Sequence, residues 1–227
     1  MSIQKILNCR EDLSDYVFHF TKGNNAKEIL KKIIEERKVV DMKNRGYICF
    51  SETPLTMVAS MFNYFSQWEE PMYAPYGIGI RKEYFHKLGG RMVVYYDPND
   101  KTSIPEGDRW RWVPYEPGKY DFTWLREWRV PQESLNLTFD NCFIVVKTNR
   151  DLIDVQDLIF KLDDLDVDAQ PEDGGILTEY TGYFTRQFKA VSLEEISIVS
   201  QMNKEQLRCT LNGQSDHECH YLGSTWE

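Results

Sequence analysis

Apolar and polar positions change period several times along this chain, and each change marks an element. Residues 16–21, Tyr16-Val17-Phe18-His19-Phe20-Thr21, alternate weakly and are rich in aromatic and β-branched side chains, which predicts a strand. Asn24 and Asn25 then offer an N-cap. Ile29, Leu30, Ile33 and Ile34 follow at helical spacing, with Lys27, Glu28, Lys31, Lys32, Glu35 and Glu36 on the other faces, so a helix is expected over about 25–37. A second strand is expected over 46–51. Thr53 reads as a cap with Pro54 in the first helical position, and Leu55, Val58, Met61, Phe62 and Phe65 mark the helix that follows.

Residues 67–75 read as a loop and 76–81 as a short strand. A turn or short helix leads through Gly89-Gly90 to a strand over 91–96, ended by the turn Asp97-Pro98-Asn99-Asp100. The stretch 101–120 reads as an irregular or short-helical excursion. Residues 124–130 form a strand or its approach, closed by Pro131, and 142–147 form another. Leu152, Val155, Leu158 and Ile159 suggest a helix. An acidic run over about 161–174 is expected as a solvated or disordered loop. A last strand near 196–200 and a helix near 203–209 lead into a C-terminal extension over about 201–227. Strands and helices mix without regular βαβ alternation, so the expected class is α+β in one domain spanning 1–227. Neither a dinucleotide fingerprint nor a phosphate-loop pattern is present.

Composition narrows the chemistry. Lys and Arg total 27 against 36 Asp and Glu, a formal charge of −9, which argues against a protein that coats nucleic acid. The five cysteines follow no regular spacing, the N-terminus has no apolar signal core, and no apolar run approaches a membrane span; a reduced, cytoplasmic protein without membrane contact is expected. Cys209, His217, Cys219 and His220 are ligand types at spacings that match no usual zinc frame, and no metal is expected. Cys49, inside an apolar run, reads as inert core, and Ser51 lacks a nucleophile elbow.

Three apolar stretches each carry a polar side chain whose burial demands a partner: His19, Ser51 and Glu127. In order, His19-Phe20-Thr21, Cys49-Phe50-Ser51-Glu52-Thr53-Pro54, Tyr76-Gly77, Gly89-Gly90-Arg91 before a Val-Tyr strand, and Arg126-Glu127-Trp128-Arg129 resemble the ADP-ribosyltransferase plan. More specifically they look like the AbiGi-type abortive-infection family, and more distantly DarT-type toxins, over roughly residues 16–147.

The resemblance implies a split mixed or antiparallel β-sheet flanked by helices, with NAD bound in an extended cleft. His19 would bond a ribose of the adenosine half, with Thr21 in support and Phe20 beside them. Ser51 would support the nicotinamide-side ribose or the catalytic carboxylate. Glu127 would be the catalytic glutamate, and Tyr73 or Tyr76 would stack on the nicotinamide. DarT-type enzymes carry an arginine in the turn after the second strand, where this chain has Ser51-Glu52-Thr53-Pro54; Arg45, Arg81 and Arg129 are candidates for its contacts. The single acid of Glu127-Trp128-Arg129, in place of a two-acid pattern, gives less support to a protein-arginine acceptor.

The implied activity is NAD-dependent mono-ADP-ribosylation by a toxin of a phage-defence or toxin–antitoxin system, with a neutralising antitoxin protein as partner. The acceptor is a macromolecule, RNA or DNA ahead of protein, because the DarT-type relatives act on nucleic acid and Arg109-Trp110-Arg111-Trp112 offers charge and stacking to a strand. Three rivals are an NAD glycohydrolase on the same fold, a non-catalytic antitoxin or regulatory module, and, last, a glycosidase pairing Glu127 with another acid.

Overall fold

Alternation in the first strand, β1 (Tyr16–Phe20), sends Val17 to one side of the sheet and Phe18 and Phe20 to the other, and both sides are covered. In this computed structural model, residues 12–99, 105–119, 121–172, 175–186 and 188–201 are described, those over 160–186 and Val199 by backbone alone. Helix α1 (Ala26–Glu36) buries Ala26, Leu30 and Ile34. Asn25 is its N-cap residue, but its side chain makes no capping bond, and Arg37 closes the helix in the left-handed region at φ 52°. A three-residue strand β2 (Lys38–Val40) precedes β3 (Ile48–Ser51). Helix α2 (Leu55–Phe65) has Pro54 as its N-cap, one position before the expected helical proline; the Thr53 hydroxyl is used elsewhere, bonding the Trp124 carbonyl at 2.8 Å.

Strand β4 (Gly77–Arg81) passes directly into the short helix α3 (Lys82–Lys87). The expected strand over 91–96 is two: β5 (Arg91–Met92) joins the main sheet, whereas β6 (Val94–Tyr96) pairs in parallel with β7 (Trp112–Pro114). A 3₁₀ turn over Glu106–Arg111 precedes β7, and another over Thr123–Leu125 precedes β8 (Glu127–Val130). Strand β9 (Ser134–Asn136) pairs with β2, and β10 (Cys142–Val146) is followed by α4 (Asn149–Asp154) and α5 (Gln156–Ile159).

The acidic run is not a loop. Its backbone forms β11 (Phe160–Glu172), paired antiparallel with β12 (Gly175–Arg186) in a separate two-stranded ribbon. The strand expected near 196–200 is helix α6 (Leu193–Ser200), and the strand lies just before it as β13 (Lys189–Ser192). The helix expected near 203–209, and Cys209, His217, Cys219 and His220, lie outside the described residues.

The fold is α+β, a mixed and largely antiparallel sheet in the order β13-β10-β4-β1-β3-β8-β5 with helices on both faces. No described helix is long and apolar enough to cross a membrane. The larger core gathers Val17, Leu30, Ile34, Ile48, Phe50, Ile78, Ile80, Phe85 and Trp128; the smaller one joins Phe18, Phe20, Val58, Phe62, Val145 and Leu193.

The sheet has a seam. Strands β1 and β4 share five register pairs and β3 and β8 share four, but β1 and β3 share one, Phe18↔Ser51. Beyond that pair the two halves part. On the β4 side β1 stays paired to its end at close approach: a Cβ at Gly77 would lie 2.4 Å from the His19 carbonyl oxygen, inside any allowed contact.

Candidate active site

Where β1 and β3 diverge, a cleft of about 480 Å³ opens, within the roughly 300–1,000 Å³ usual for ligand sites. His19, Phe20 and Thr21 line it from the β1 side; Cys49 and Ser51 line it from β3, and Glu127 and Arg129 from β8. Residues that belong to separate halves of the sheet therefore meet in one cavity.

His19 spans the seam. Its Nδ1 lies 2.9 Å from the Cys49 carbonyl oxygen, and a carbonyl only accepts, so Nδ1 carries the hydrogen. Burial, with Lys22 and Arg45 nearby, holds the imidazole below its usual pKa and hence neutral. Its Nε2 is then an acceptor, suited to a ligand hydroxyl.

Glu127 and Arg129 point to the same side of β8, two residues apart, and each is 9% exposed. Arg129 Nε donates to Glu127 Oε1 at 2.8 Å and Nη1 donates to the Trp110 carbonyl at 2.7 Å. The guanidinium also lies 4.5 Å from the centre of the Tyr47 ring. A buried carboxylate with no such partner would be costly, and the pair holds both side chains in fixed geometry. Cys49 faces Arg129 across β3 and β8 and is half-buried on the cleft wall, not inert core. Burial and the Glu127 charge push its thiol up to about 12, so it is a protonated donor and no nucleophile.

Ser51 stands opposite Glu127 in the ladder. Its Oγ donates to the Leu125 carbonyl at 2.6 Å, and the Glu52 backbone amide donates to the Leu125 and Arg126 carbonyls at 3.3 and 3.2 Å. With the Thr53 bond to Trp124, three consecutive residues clamp the segment that delivers Glu127. That segment contains a left-handed residue, Arg126 at φ 47°, which turns the chain into β8. Ser51 thus lines the cleft while its hydroxyl acts on the backbone.

Thr21 is also committed. Its amide and hydroxyl both donate to the Tyr76 carbonyl at 2.8 Å, and its own carbonyl accepts from the Ala74 amide at 2.9 Å. These bonds fix the loop that carries Tyr73, whose ring lines the cleft under the Lys22 amine, 4.7 Å from the ring centre. Burial and Glu127 push the Tyr73 hydroxyl up to about 12, so it remains a donor. Tyr76 does not reach the cleft. Its ring packs on the larger core and its hydroxyl donates to Asp151 Oδ2 at 3.2 Å, a partner that a buried phenol needs and the cleft would not supply.

Of the three arginine candidates, Arg45 and Arg129 line the cleft; Arg81 lies over the Tyr16 ring, 5.7 Å from its centre, and does not. The Arg109–Trp112 cluster is not an open platform: Trp110 gives its carbonyl to Arg129, Arg111 bonds the Met92 carbonyl at 3.2 Å, and Trp112 packs on Tyr96. The neighbouring Val113, Pro114 and Phe122 wall the cleft instead. Sequence reading also missed Lys22, Asp41 and Lys43, which line the cleft from loops with no periodic signal. Among the described residues no cluster of three or more His, Cys, Asp or Glu side chains is arranged to hold a metal ion. Comparison of the chain with protein-family models, with curated proteins and with solved structures finds no match, so what the cleft does is argued from its own residues.

Proposed function

We propose that the cleft binds NAD as a substrate and that the protein transfers ADP-ribose from it to a macromolecule, with Glu127 as the catalytic residue. One observation carries this reading: His19 and Glu127, from the two halves of the sheet, line a single cleft at the seam where β1 and β3 part. That arrangement fits the split-sheet plan to which the order of residues along the chain is similar.

The chemistry matches the groups. Loss of nicotinamide leaves positive charge on the ribose carbon and its ring oxygen. A fixed carboxylate that accepts from the 2′-hydroxyl stabilises this charge, and preorganised contacts of this kind are worth about 3–4 kcal/mol. Glu127 is preorganised by Arg129 and by the clamp on its segment. The neutral His19 offers Nε2 to a hydroxyl of the second ribose, and the Tyr73 ring offers a stacking face. The acceptor hydroxyl or amine attacks the carbon as the bond to nicotinamide breaks; nicotinamide departs neutral with the electron pair of that bond, and the acceptor's proton is released to solvent.

Within this proposal the protein is a toxin held by an antitoxin, and a nucleic-acid acceptor is supported by the likeness to DarT-type toxins alone, since Arg109–Trp112 presents no open platform. The test is incubation with NAD radiolabelled in the adenylate part, with separate pools of DNA, RNA and protein. Label is expected in one pool with wild type and in none with Glu127→Gln. Nicotinamide release without labelled macromolecule would identify a glycohydrolase. Intact NAD after long incubation would leave a non-catalytic module.

A further inference from the structure

Three cations converge on the cleft beside His19. Lys22 follows β1, and Lys43 and Arg45 lie on the loop between β2 and β3, so they approach from both sides of the seam. The Lys22 amine is held below its usual pKa by burial and then by Lys43, with Arg45 also acting on it. Like charges gathered in this way repel, and an anion between them removes that cost.

The loop is built to present them. Asp41, 5% exposed, accepts from the backbone amides of Lys43 at 3.1 Å, Gly46 at 2.8 Å and Arg45. Left-handed residues at Asn44 and Gly46, φ 50° and 76°, close the turn around that carboxylate. Burial works against the Asp41 charge, and the three amides outweigh it, holding the carboxyl below its usual range. Lys43 and Arg45 thus project from a rigid turn.

The charge balance leaves a surplus. Lys22, Lys43, Arg45 and Arg129 line the cleft against Asp41 and Glu127, four positive charges to two negative, in a chain of net charge −9. Glu127 is paired with Arg129, and Asp41 with Arg45 at 3.5 Å. Among the described residues, neither Lys22 nor Lys43 has a carboxylate within ion-pair distance. Beside this surplus stand the His19 acceptor and the Tyr73 ring. A ligand with a multiply charged anion, an adjoining hydroxyl and a flat ring fits all three, and a nucleoside diphosphate has them in that relation.

We infer that Lys22, Lys43 and Arg45 form a diphosphate-binding subsite, holding the phosphates of a nucleotide whose ribose meets His19. The inference rests on the cleft's being a dinucleotide site, and it commits that site to named phosphate contacts on a loop far in sequence from Glu127. Arg129, bound to Glu127 and Trp110, is left to its strand.

Calorimetry with ADP-ribose and with adenosine tests it. The double variant K22Q/K43Q keeps Asp41 and Arg45, so the turn persists. ADP-ribose binding is expected to weaken roughly tenfold for each amine removed, with a shallower salt dependence, and adenosine binding to stay as in wild type. Should the double variant melt early, K43Q alone, at an exposed position, carries the tenfold expectation. Unchanged ADP-ribose affinity in a folded variant would overturn the subsite, as would wild type that binds no ADP-ribose at millimolar concentration. Nicotinamide release by wild type reads the transferase proposal separately. Release with unchanged ADP-ribose affinity sinks the subsite alone, whereas lost affinity in the variant without any release by wild type upholds the subsite and sinks the transferase.

Discussion

Glu52, just past the end of β3, and Glu127, on neighbouring β8, are 3% and 9% exposed and do opposite things. Glu52 leaves β3 on the core side. Lys82 donates to its Oε1 at 2.7 Å, the Trp128 indole donates to Oε2 at 2.7 Å, and Arg126 lies 3.7 Å away. Both oxygens are taken by the protein, and the carboxylate ties α3, β3 and β8 together. Glu127 has its Oε1 held by Arg129, bonds the Cys49 thiol on the cleft wall, and lines the cleft. Burial of an acid is therefore no sign of chemistry in itself. What matters is whether its surroundings are other parts of the chain or a space that a ligand can enter.

Glu127→Gln should give the largest effect, a fall of about 10²–10³ in the rate of label transfer, the size seen when one preorganised electrostatic contact is removed. The glutamine oxygen still accepts from Arg129, but the buried guanidinium loses its counter-charge, so a stability cost of roughly 3 kcal/mol is expected as well, read by urea denaturation. Glu52→Gln should cost stability without a matching loss of transfer. It removes one member of a buried charge network and should cost roughly 3 kcal/mol, the low end of the range because Lys82 and Arg126 keep some water contact. Transfer per folded molecule should fall less than about tenfold, since Glu52 touches no part of the cleft. A Glu52→Gln protein of wild-type stability that no longer labels any pool would erase the distinction between the two acids.

The imidazole sharpens the cleft side of the comparison through pH. His19 has a folded pKa lowered from 6.5, so the unfolded chain binds the proton more readily. Its contribution to stability is present above pH 6.5 and is lost as pH falls from there through the folded value. Asp41 repeats the sign at lower pH: its folded pKa is lowered from 3.8, and its contribution survives until pH falls below that. Urea midpoints of wild type should decline between pH 7 and pH 5, and His19→Gln should flatten that decline while leaving the steeper loss near pH 3–4. An equal decline in the variant would mean that the imidazole is not what titrates.

Legibility in sequence followed locality. The apolar stripe of α1 and the alternation of β1 and β3 are set by neighbours in the chain, and they stand where the pattern puts them. Strands β2 and β9, three residues each, exist only because they meet across the chain, and no local period announces them. Helix α6 carries Ile196, Ile198 and Val199, whose alternation mimics a strand; Leu193 and Ile196, three apart, instead share the face packed on the smaller core. The acidic run reads as loop from its charge, yet its backbone pairs with β12, a partner that composition does not reveal. In the site, His19, Ser51 and Glu127 stood out as polar groups in apolar runs. Lys22, Asp41 and Lys43 come from loops, where nothing in the pattern marks a residue that long-range topology brings to a cleft.

Tyr73 and Tyr76 restate the comparison of the two acids at smaller scale. Both are partly buried, and burial raises both hydroxyls to about 12. Tyr76, however, spends its hydroxyl on Asp151, which the Lys27 amine also grips at 2.7 Å and which caps α4 through Thr148. Tyr76→Phe deletes one bond at a carboxylate that keeps other donors, so the loss should be about 0.5–1.5 kcal/mol in urea denaturation. The KM for NAD should not move, because the ring stays packed on the core and never enters the cleft. The same change at Tyr73 should raise the KM only slightly, since the stacking face remains, whereas Tyr73→Ala removes the face and should raise it several-fold. A KM that responds to Tyr76→Phe and not to Tyr73→Ala would mean that the nucleotide lies on the other side of β1, away from Glu127.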